Sequence, residues 1–522
     1  MPNKDTTQVA CVAEFFAKEG KTEELIEALH VLIKPMMRSL KWLLTAMLAA
    51  HAAVAPAQPV SIYAKNPHYL SFEGKPVLLI TSAEHYGAVV NGDFDFVHYL
   101  DALQSYGLNY TRIYPGYLFE PMGKFIAGNP LGAKPASLVL PWARSNQPGY
   151  LLSGNKFDLD RWNPEYFARL KRFITEAGKR GVVVEVCFFN GQYSDTWPLS
   201  PLYWENNIQG VGRVGFRDTQ TLKDAQLVAR EADYIRKIVA EVNEFDNVIL
   251  EVCDEPALFT PRDEAGPWVA HMLHVMHDAE DSLPKRHLIG QEVQGGIDGP
   301  VDMAGNPDLS IVVGQYLWRT DSEEMGGLQG LDREYWHNKP IEENETAYYP
   351  VWYKGDAVAD SRVEAWEFMV GGGASFNQLN GRFTGDDPAG NTPDNAQVLG
   401  SLRNLKRFLE SFDFAAMEPD RGFVVSGLIP GTHYRGLSQY GSQYALYIHH
   451  SKGGDEMAYT VTPGNYKETL VVNLPPGSYK AEWIDPASYT VLSSESFHHA
   501  GGTHNLKTPD YTVDIALRIK RQ

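Results

Sequence analysis

The sequence predicts an α/β fold, a (β/α)8 TIM barrel followed by a small antiparallel β-sandwich. From about residue 60, short apolar runs alternate with amphipathic helical stretches, and there are eight such runs. After about residue 420 the pattern changes to short alternating strands separated by turns. Eight β units with intervening helices are typical of a barrel. A chain of 522 residues is long enough for the large core and the two domains that this organisation needs.

The predicted barrel strands are short apolar runs. They cover residues 76–81, 108–114, 182–189, 248–252, 287–291, 310–316, 340–345 and 373–379. Several are apolar on both faces, which is typical of strands buried in a parallel sheet. The clearest helices cover residues 93–106, 164–180, 221–244, 267–281, 362–370 and 397–412. No helix is expected between the fifth and sixth strands, where the connection is short and rich in Gly and Pro. Residues 62–73 predict a hairpin at the bottom of the barrel.

The barrel is predicted to span residues 58–415 and the sandwich residues 420–522. Strands of the sandwich are expected at 444–449, 469–474, 479–484 and 513–519, separated by turn signals such as Pro475-Pro-Gly-Ser. A module of this kind could bind sugar, but a structural cap packed on the barrel is the more common role.

Residues 37–57 have the three parts of a secretory signal peptide, although they do not begin the chain. A basic start precedes an apolar stretch at 42–50 that is too short to span a bilayer, and Ala55-Pro56-Ala57 offers a cleavage site. We therefore expect a secreted or periplasmic protein without a membrane attachment after cleavage. Residues 1–36 are interpreted as a spurious or atypical extension, with initiation at Met36 or Met37. A membrane-anchored or cytosolic form is the alternative.

The formal net charge of −19 argues against nucleic acid as a partner, since phosphate backbones bind basic surfaces. The three cysteines, Cys11, Cys187 and Cys253, are too few for a C-x-x-C zinc site. Cys187 and Cys253 fall on neighbouring predicted strands, where a disulfide is possible but two buried free thiols are favoured. Asp386 and Asp387 lack the spaced ligands of a calcium loop. No metal and no cofactor is predicted.

Two glutamates mark the ends of predicted strands four and seven. Glu255 follows the apolar segment 247–254, and Glu345 closes the segment 339–345. Active sites of such barrels lie at the C-terminal ends of the strands, so the two carboxyls are expected at one mouth. Glycosidic bond cleavage needs one carboxyl to protonate the leaving oxygen and another to attack or to activate water. The pair therefore predicts a sugar-cleaving enzyme.

Glu343 competes with Glu345 for the second role. In an extended segment both side chains point to the same side, whereas Glu342 points to the other. Glu345 is favoured because it lies nearer the C-terminal end of the strand.

The residues around both glutamates resemble those of clan A glycoside hydrolases, the cellulase-like superfamily. Asp254-Glu255-Pro256 is similar to the Asn-Glu-Pro motif of that clan, and Lys339-Pro340 with a glutamate five residues after the proline is similar to its nucleophile strand. The likeness covers roughly residues 60–415. The C-terminal region resembles the module of some family 5, cellulase-like and apiosidase-like members. This resemblance implies a retaining mechanism in which Glu255 is the acid/base and Glu345 the nucleophile, with carboxyls about 5–5.5 Å apart.

Asp254 departs from the pattern, since the clan usually has an Asn whose amide touches the sugar 2-hydroxyl. A carboxylate would accept from a hydroxyl without donating, and two adjacent carboxyls tend to raise a pKa, which suits a general acid. Arg112, on predicted strand two, matches the clan's arginine that supports the nucleophile. A cation there would keep Glu345 ionised.

Four further candidates for substrate contact come from positions at or beyond strand ends. His85 and Asn190 end predicted strands one and three, where they could contact sugar hydroxyls. Tyr316 follows Gln315 at the end of strand six, a place where the clan often has His and then Tyr, and could hydrogen-bond the nucleophile. Trp318 belongs to a set of loop aromatics whose flat faces can stack on sugar rings.

Two other functional classes stay open at this point. A barrel that binds carbohydrate without cleaving it is the alternative reading, with Asp254 in place of Asn as its support. A metal-dependent hydrolase would need clustered histidines at strand ends, and His85 and His287 are too few. The sequence does not identify the sugar, the linkage or the oligomeric state.

Overall fold

The computed structural model describes residues 58–84, 87–125, 127–130, 132–294, 303–315, 331–346, 349–353, 355–453 and 459–522. The chain divides into two compact units, residues 1–58 and 59–522, and every element described below belongs to the second unit. The predicted signal peptide and the extension before it lie outside the described residues. Among the residues described, no helix is long and apolar enough to cross a membrane.

Within those residues, eight parallel strands form a barrel. They are β1 (Leu79–Thr81), β2 (Tyr110–Ile113), β3 (Val183–Asn190), β4 (Val248–Asp254), β5 (Ile289–Gln294), β6 (Ile311–Gly314), β7 (Ile341–Glu343) and β8 (Ser375–Asn377). They are hydrogen-bonded in the order β1-β8-β7-β6-β5-β4-β3-β2, and a parallel bridge between Glu84 and Arg112 joins β1 to β2. Each strand overlaps one of the eight predicted runs, so the predicted barrel is confirmed.

Six helices of ten or more residues surround this sheet in the described part of the chain. They are α1 (Phe96–Ser105), α2 (Pro164–Lys179), α3 (Ala225–Val242), α4 (Arg262–Asp281), α5 (Ala357–Val370) and α6 (Pro393–Glu410). Asp95, Asn163 and Asp224 cap the first three by accepting hydrogen bonds from backbone N–H groups of the first turn.

Five of the six helix starts differ from the sequence prediction. Helices α1 and α3 begin later than predicted, at Phe96 and Ala225, and α5 begins earlier, at Ala357. Helix α4 begins at Arg262 rather than at Pro267, which lies inside the helix. Helix α6 begins at Pro393 rather than at residue 397, because Thr392 accepts from the N–H of Asn395 and proline is favoured in the first helical turn. Between β5 and β6, residues 303–310 form turns without a helix, and residues 295–302 are outside the described ranges.

A small three-stranded antiparallel sheet lies at the N-terminal end of the barrel. It contains Ser61–Ile62, Leu70–Phe72 and Lys75–Val77. The N–H of Val60 donates to the carbonyl of Asp246, just before β4 begins, which places this sheet at the bottom of the barrel as predicted.

The C-terminal region forms antiparallel sheets. Its strands are β9 (Glu418–Pro419), β10 (Val424–Ser426), β11 (His433–Gln439), β12 (Gln443–His449), β13 (Ser451–Gly453), β14 (Tyr459–Val461), β15 (Thr469–Leu474), β16 (Gly477–Ile484), β17 (Val491–His499), β18 (Gly502–Lys507) and β19 (Asp514–Arg521). A six-stranded sheet has the order β9-β11-β12-β19-β16-β17, and a three-stranded sheet has the order β10-β15-β18. A separate apolar cluster between them confirms the predicted β-sandwich.

Helix α5 connects the sandwich to the barrel. All of its residues from Ala359 to Val370 are buried. Arg362 donates two hydrogen bonds to the carboxylate of Asp514 at 2.8 and 3.0 Å, and the ring centroids of Trp366 and Tyr447 lie 5.4 Å apart. The sandwich therefore packs on the barrel through this helix.

The two cysteines of the barrel strands are free thiols. Cys187 on β3 and Cys253 on β4 are both buried and unlinked. The prediction of two buried thiols rather than a disulfide is confirmed.

Glu231 on α3 creates a pH dependence of stability. Its fully buried carboxylate accepts from Trp268 Nε1 at 2.9 Å and from Tyr117 Oη at 3.0 Å. Burial raises the pKa of Glu231 to about 8, although the two hydrogen bonds oppose the shift. The unfolded chain therefore loses this proton at a lower pH than the folded chain does, and stability falls as pH rises between the two pKa values.

We expect the free energy of unfolding to decline between about pH 5 and pH 8, by roughly 1.4 kcal/mol per pH unit from this group alone. The substitution Glu231→Gln should flatten part of that decline in urea denaturation curves recorded across the range. Glu165→Gln, at an exposed position of α2, is the control and should leave the slope unchanged. If the free energy of unfolding declined with pH equally steeply in the parent and in Glu231→Gln, the pH dependence could not be assigned to Glu231.

Candidate active site

Glu255 and Glu345 occupy equivalent positions at the C-terminal end of the barrel. Glu255 follows β4 directly, and Glu345 lies two residues beyond β7. Both have left-handed backbone conformations, with φ of 48° and 49°. Such conformations are uncommon for non-glycine residues and concentrate at functional sites. Each glutamate is nearly buried, with 6% and 8% of its surface exposed.

Neighbouring side chains hold these two backbones in place. The N–H of Glu255 donates to Glu292 Oε2 at 2.5 Å, from the end of β5. The N–H of Glu345 donates to Asn344 Oδ1 at 2.9 Å, and Asn377 Nδ2 donates to the same oxygen at 3.0 Å. The left-handed turn takes each of these backbone N–H groups out of the hydrogen bonds between strands. In both cases a side-chain oxygen accepts the hydrogen bond instead.

Gln315, the residue after β6, connects the two carboxyls. Its Nε2 donates to Glu345 Oε2 at 3.0 Å and lies 3.4 Å from Glu255 Oε1. These two oxygens are therefore no further apart than the sum of the two distances, 6.4 Å. Gln315 is 1% exposed, so its amide is held in position by the surrounding barrel.

Glu343 does not share this mouth. Burial and the carboxylates of Glu364 and Glu367, both on α5, raise the pKa of Glu343, which places its side chain against the helix. Glu342 points into the barrel, where its Oε1 accepts from Tyr110 Oη at 2.7 Å. The prediction that Glu343 and Glu345 point to one side is wrong, because the left-handed residue at 345 ends the extended alternation.

Arg112 on β2 lies beneath the pair and binds several carboxylates at once. Its Nε and Nη2 donate to Glu251 at 2.7 and 2.8 Å, its Nη1 pairs with Glu84, and its Nη2 lies 3.2 Å from Asp254 Oδ1. Glu345 Oε2 is 3.9 Å from Nη1. Arg112 is 1% exposed and all of these partners are buried. It therefore shares its positive charge among several buried carboxylates.

The protonation of Glu345 differs from the sequence expectation. Burial raises the pKa of Glu345 well above its usual range, and the carboxylates of Glu84, Asp254 and Glu255 raise it further, whereas Arg112 lowers it. The expectation that Arg112 keeps Glu345 ionised is not supported for the free protein, since burial and like charge outweigh a cation at 3.9 Å.

Asp254 is held from three sides. Its Oδ2 accepts from Tyr114 Oη and from Asn190 Nδ2, both at 2.5 Å, and its Oδ1 faces Arg112. Asp254 is 2% exposed and Asn190 is 5% exposed. Both residues stand at the mouth, as the sequence predicted, and they bond to each other in this structure.

Three candidates cannot be placed. His85, Tyr316 and Trp318 lie outside the described residues, so their proposed substrate contacts stay predictions.

Sequence reasoning assigned no role to three side chains of this site: Gln315, Tyr114 and Glu292. Gln315 and Tyr114 stand just beyond the C-terminal end of a strand and Glu292 lies two residues before the end of β5, and that position was the signal available for finding them. In the described part of the chain, no group of three or more His, Cys, Asp or Glu side chains is arranged to hold a metal ion.

The geometry supports proton transfer and nucleophilic attack at one point. Two carboxyls linked by an amide donor share this mouth, and both are largely buried. Gln315 Nε2 lies nearer to Glu345 than to Glu255, so its N–H stabilises the ionised form of Glu345 against the burial and like charge that raise its pKa.

No family model and no curated protein matches the sequence. Solved structures do resemble this chain. A protein from Bacteroides vulgatus assigned as a glycoside hydrolase aligns with a TM-score of 0.60 at 15% identity, over 90% of this chain and 84% of its own. A family 5 glycoside hydrolase from the same organism aligns with a TM-score of 0.59 at 11% identity, over 89% and 93%. Another structure, of a glycoside hydrolase, aligns with a TM-score of 0.57 at 11% identity, over 89% and 97%.

Shares as large as 90% and 89% of the chain have to include part of the C-terminal sheets as well as the barrel. At these identities the comparisons establish the fold. The fold that the sequence resemblance implied is therefore confirmed over both parts of this chain.

Proposed function

We propose that this protein is a retaining glycoside hydrolase that cleaves a β-glycosidic bond in an oligosaccharide or polysaccharide. One observation carries the proposal: a single amide of Gln315 reaches both Glu255 and Glu345, which bounds their nearest oxygens to 6.4 Å. Retaining enzymes have carboxyls about 5–5.5 Å apart, whereas inverting enzymes need about 6.5–9.5 Å to admit water. The bound applies to one oxygen of each carboxyl and is consistent with the retaining spacing, and retention itself is inferred from the sequence resemblance around both glutamates.

In the first step Glu345 attacks the anomeric carbon while Glu255 gives its proton to the leaving oxygen. The bond from the anomeric carbon to Glu345 forms as the glycosidic bond breaks. In the second step Glu255 takes a proton from water, whose oxygen displaces Glu345. Gln315 holds the two carboxyls close to each other. It stabilises negative charge on Glu345 before attack and after release.

The β linkage in this proposal comes from the sequence resemblance around both glutamates. We also propose that the protein is secreted, because residues 37–57 resemble a signal peptide. Its binding partner is a carbohydrate, since the proposed reaction acts on one.

The test is a screen of aryl β-glycosides and plant cell-wall oligosaccharides with the full chain, with aryl α-glycosides as controls. On the substrate that is cleaved, proton NMR in the first minutes identifies the anomer released. A β product that later mutarotates is expected. An α product first would reject retention and favour inversion. Binding of glycans without turnover on any substrate would favour the non-catalytic alternative.

A further inference from the structure

Two loops above the mouth carry an aromatic platform that the two-carboxylate mechanism does not use. It consists of Lys124 and Phe125 in the loop after β2, and Tyr193 in the loop after β3. The ring centroids of Phe125 and Tyr193 are 5.4 Å apart. The ammonium group of Lys124 lies 4.9 Å from the Phe125 centroid and 4.2 Å from the Tyr193 centroid. Cation–π contacts at these distances hold the platform together.

This platform lies beside Glu255. The N–H of Gly191 donates to the carbonyl of Asp254 at 2.9 Å, and a Cβ added to Gly191 would lie 2.6 Å from the carbonyl oxygen of Glu255. Tyr193 follows two residues later. Its ring packs edge-on against Phe259 at 5.3 Å, in the segment that follows Glu255.

Tyr193 lies close enough to Glu255 and Glu345 for their charges to act on its hydroxyl. Burial raises the pKa of Tyr193, and the carboxylate of Glu255 and then that of Glu345 raise it further. The Tyr193 hydroxyl makes no hydrogen bond with any residue in the described ranges. It therefore remains available to a ligand in the mouth.

Phe125 presents its ring to solvent at a strained position. It is 54% exposed, and its φ of 57° is left-handed. A bulky non-glycine residue in this region costs conformational energy, which is a reason to look for function there. An exposed aromatic face beside a polar mouth is suited to the apolar face of a sugar ring.

We infer that Phe125 and Tyr193 form a leaving-group subsite that binds a neutral sugar ring on the acid/base side of the mouth. The inference rests on the proposed function, in which Glu255 protonates the leaving oxygen. The sugar ring that leaves with that oxygen must then lie next to the loop that follows Glu255. The positive charge of Lys124 is neutralised by its ion pair with Asp195. A sugar carboxylate would therefore lose its hydration at this subsite without gaining an uncompensated cation, so uronic acids are disfavoured there.

The test compares two substrates of the same glycone, a neutral disaccharide and the glycosyl fluoride, which has no leaving-group ring. In Phe125→Ala we expect kcat/KM for the disaccharide to fall about tenfold, from the loss of one aromatic contact. The same constant for the fluoride should be unchanged. Tyr440→Ala, at a 70% exposed position of the sandwich, is the matched control and should affect neither substrate.

The subsite should also bind the incoming sugar in transfer reactions, so Phe125→Ala should lower the ratio of transfer to hydrolysis at a fixed acceptor concentration. If kcat/KM for the disaccharide were equal in Phe125→Ala and in the parent, the proposed subsite would be rejected while the proposed function would stand. An equal fall on both substrates would also overturn the subsite, since the effect would not depend on a leaving-group ring. A parent protein inactive on both substrates would reject the proposed function itself, and the subsite with it.

Discussion

Glu345→Gln is expected to lower kcat by about 10⁴- to 10⁶-fold, and Glu255→Gln by about 10²- to 10⁴-fold. Glutamine keeps the size of each side chain and the hydrogen-bond distance to Gln315, but it cannot form the glycosyl ester or deliver a proton. The loss at Glu255 should be smallest on substrates with good leaving groups, because these need the least protonation. Rates measured with the glycosyl fluoride and with an oligosaccharide separate the two roles.

Small-residue variants identify each role by its product. With azide present, Glu345→Gly should convert a β-substrate into the α-glycosyl azide, because azide enters directly from the face that Glu345 occupies. Glu255→Ala should give the β-glycosyl azide, because azide then replaces water in the second step.

Glu343→Gln is the control for these variants, since Glu343 packs against α5 rather than in the mouth. It should keep its turnover with the same retained product. Loss of activity in Glu343→Gln with rescue by azide, and no effect of Glu345→Gln, would reverse the assignment of the nucleophile.

Arg112→Met is expected to destabilise the protein by about 3–5 kcal/mol at neutral pH. Arg112 is fully buried and contacts Glu251, Glu84 and Asp254, so its loss leaves several buried carboxyls without their cation. The methionine side chain is similar in length to the apolar part of arginine, so little of the destabilisation should come from a cavity. Urea denaturation measures the change directly, through the midpoint at constant m-value.

The pH dependence distinguishes a charge effect from a packing effect. Carboxyls deprived of Arg112 take up protons more readily in the folded state, and a protonated carboxyl no longer needs the cation. The destabilisation should therefore shrink as pH falls from about 7 to about 5. Arg230→Met removes a surface pair with Asp160, whose side chain is 62% exposed, and is expected to cost no more than about 1 kcal/mol. A loss in Arg112→Met that is equal at both pH values would point to packing instead.

The eight strands could be predicted because the information for each strand is local. A strand buried on both faces must be apolar at successive positions, as Val183–Asn190 and Val248–Asp254 are. Helix boundaries were less accurate. The start of α4 could not be read from the sequence, since Pro267 has the character of a first-turn residue but lies inside the helix.

The candidate site could be predicted in part. The strand-end rule located Glu255, Glu345 and Asn190 at one end of the barrel, and the sequence resemblance added Arg112; the structure places all four there. Their roles in catalysis stay predictions. The partners of these residues could not be predicted, because Asp254 and Asn190 are bonded across a distance of 64 residues and Gln315 reaches Glu255 across 60.

The sequence by itself determined the barrel, the trailing sandwich and the two glutamates, because each depends on the pattern of residues within a few positions. The sequence favoured Glu345 over Glu343 from its place near the strand end, and the tertiary structure supplied the physical reason that Glu345 faces Glu255, because a left-handed residue after β7 reverses the alternation of the strand. The tertiary structure also decided that the side-chain amide of Gln315 contacts both Glu255 and Glu345, and that Arg112 binds several carboxylates at once. Those relations are distances between strands far apart in the chain, and they exist only once the barrel has closed.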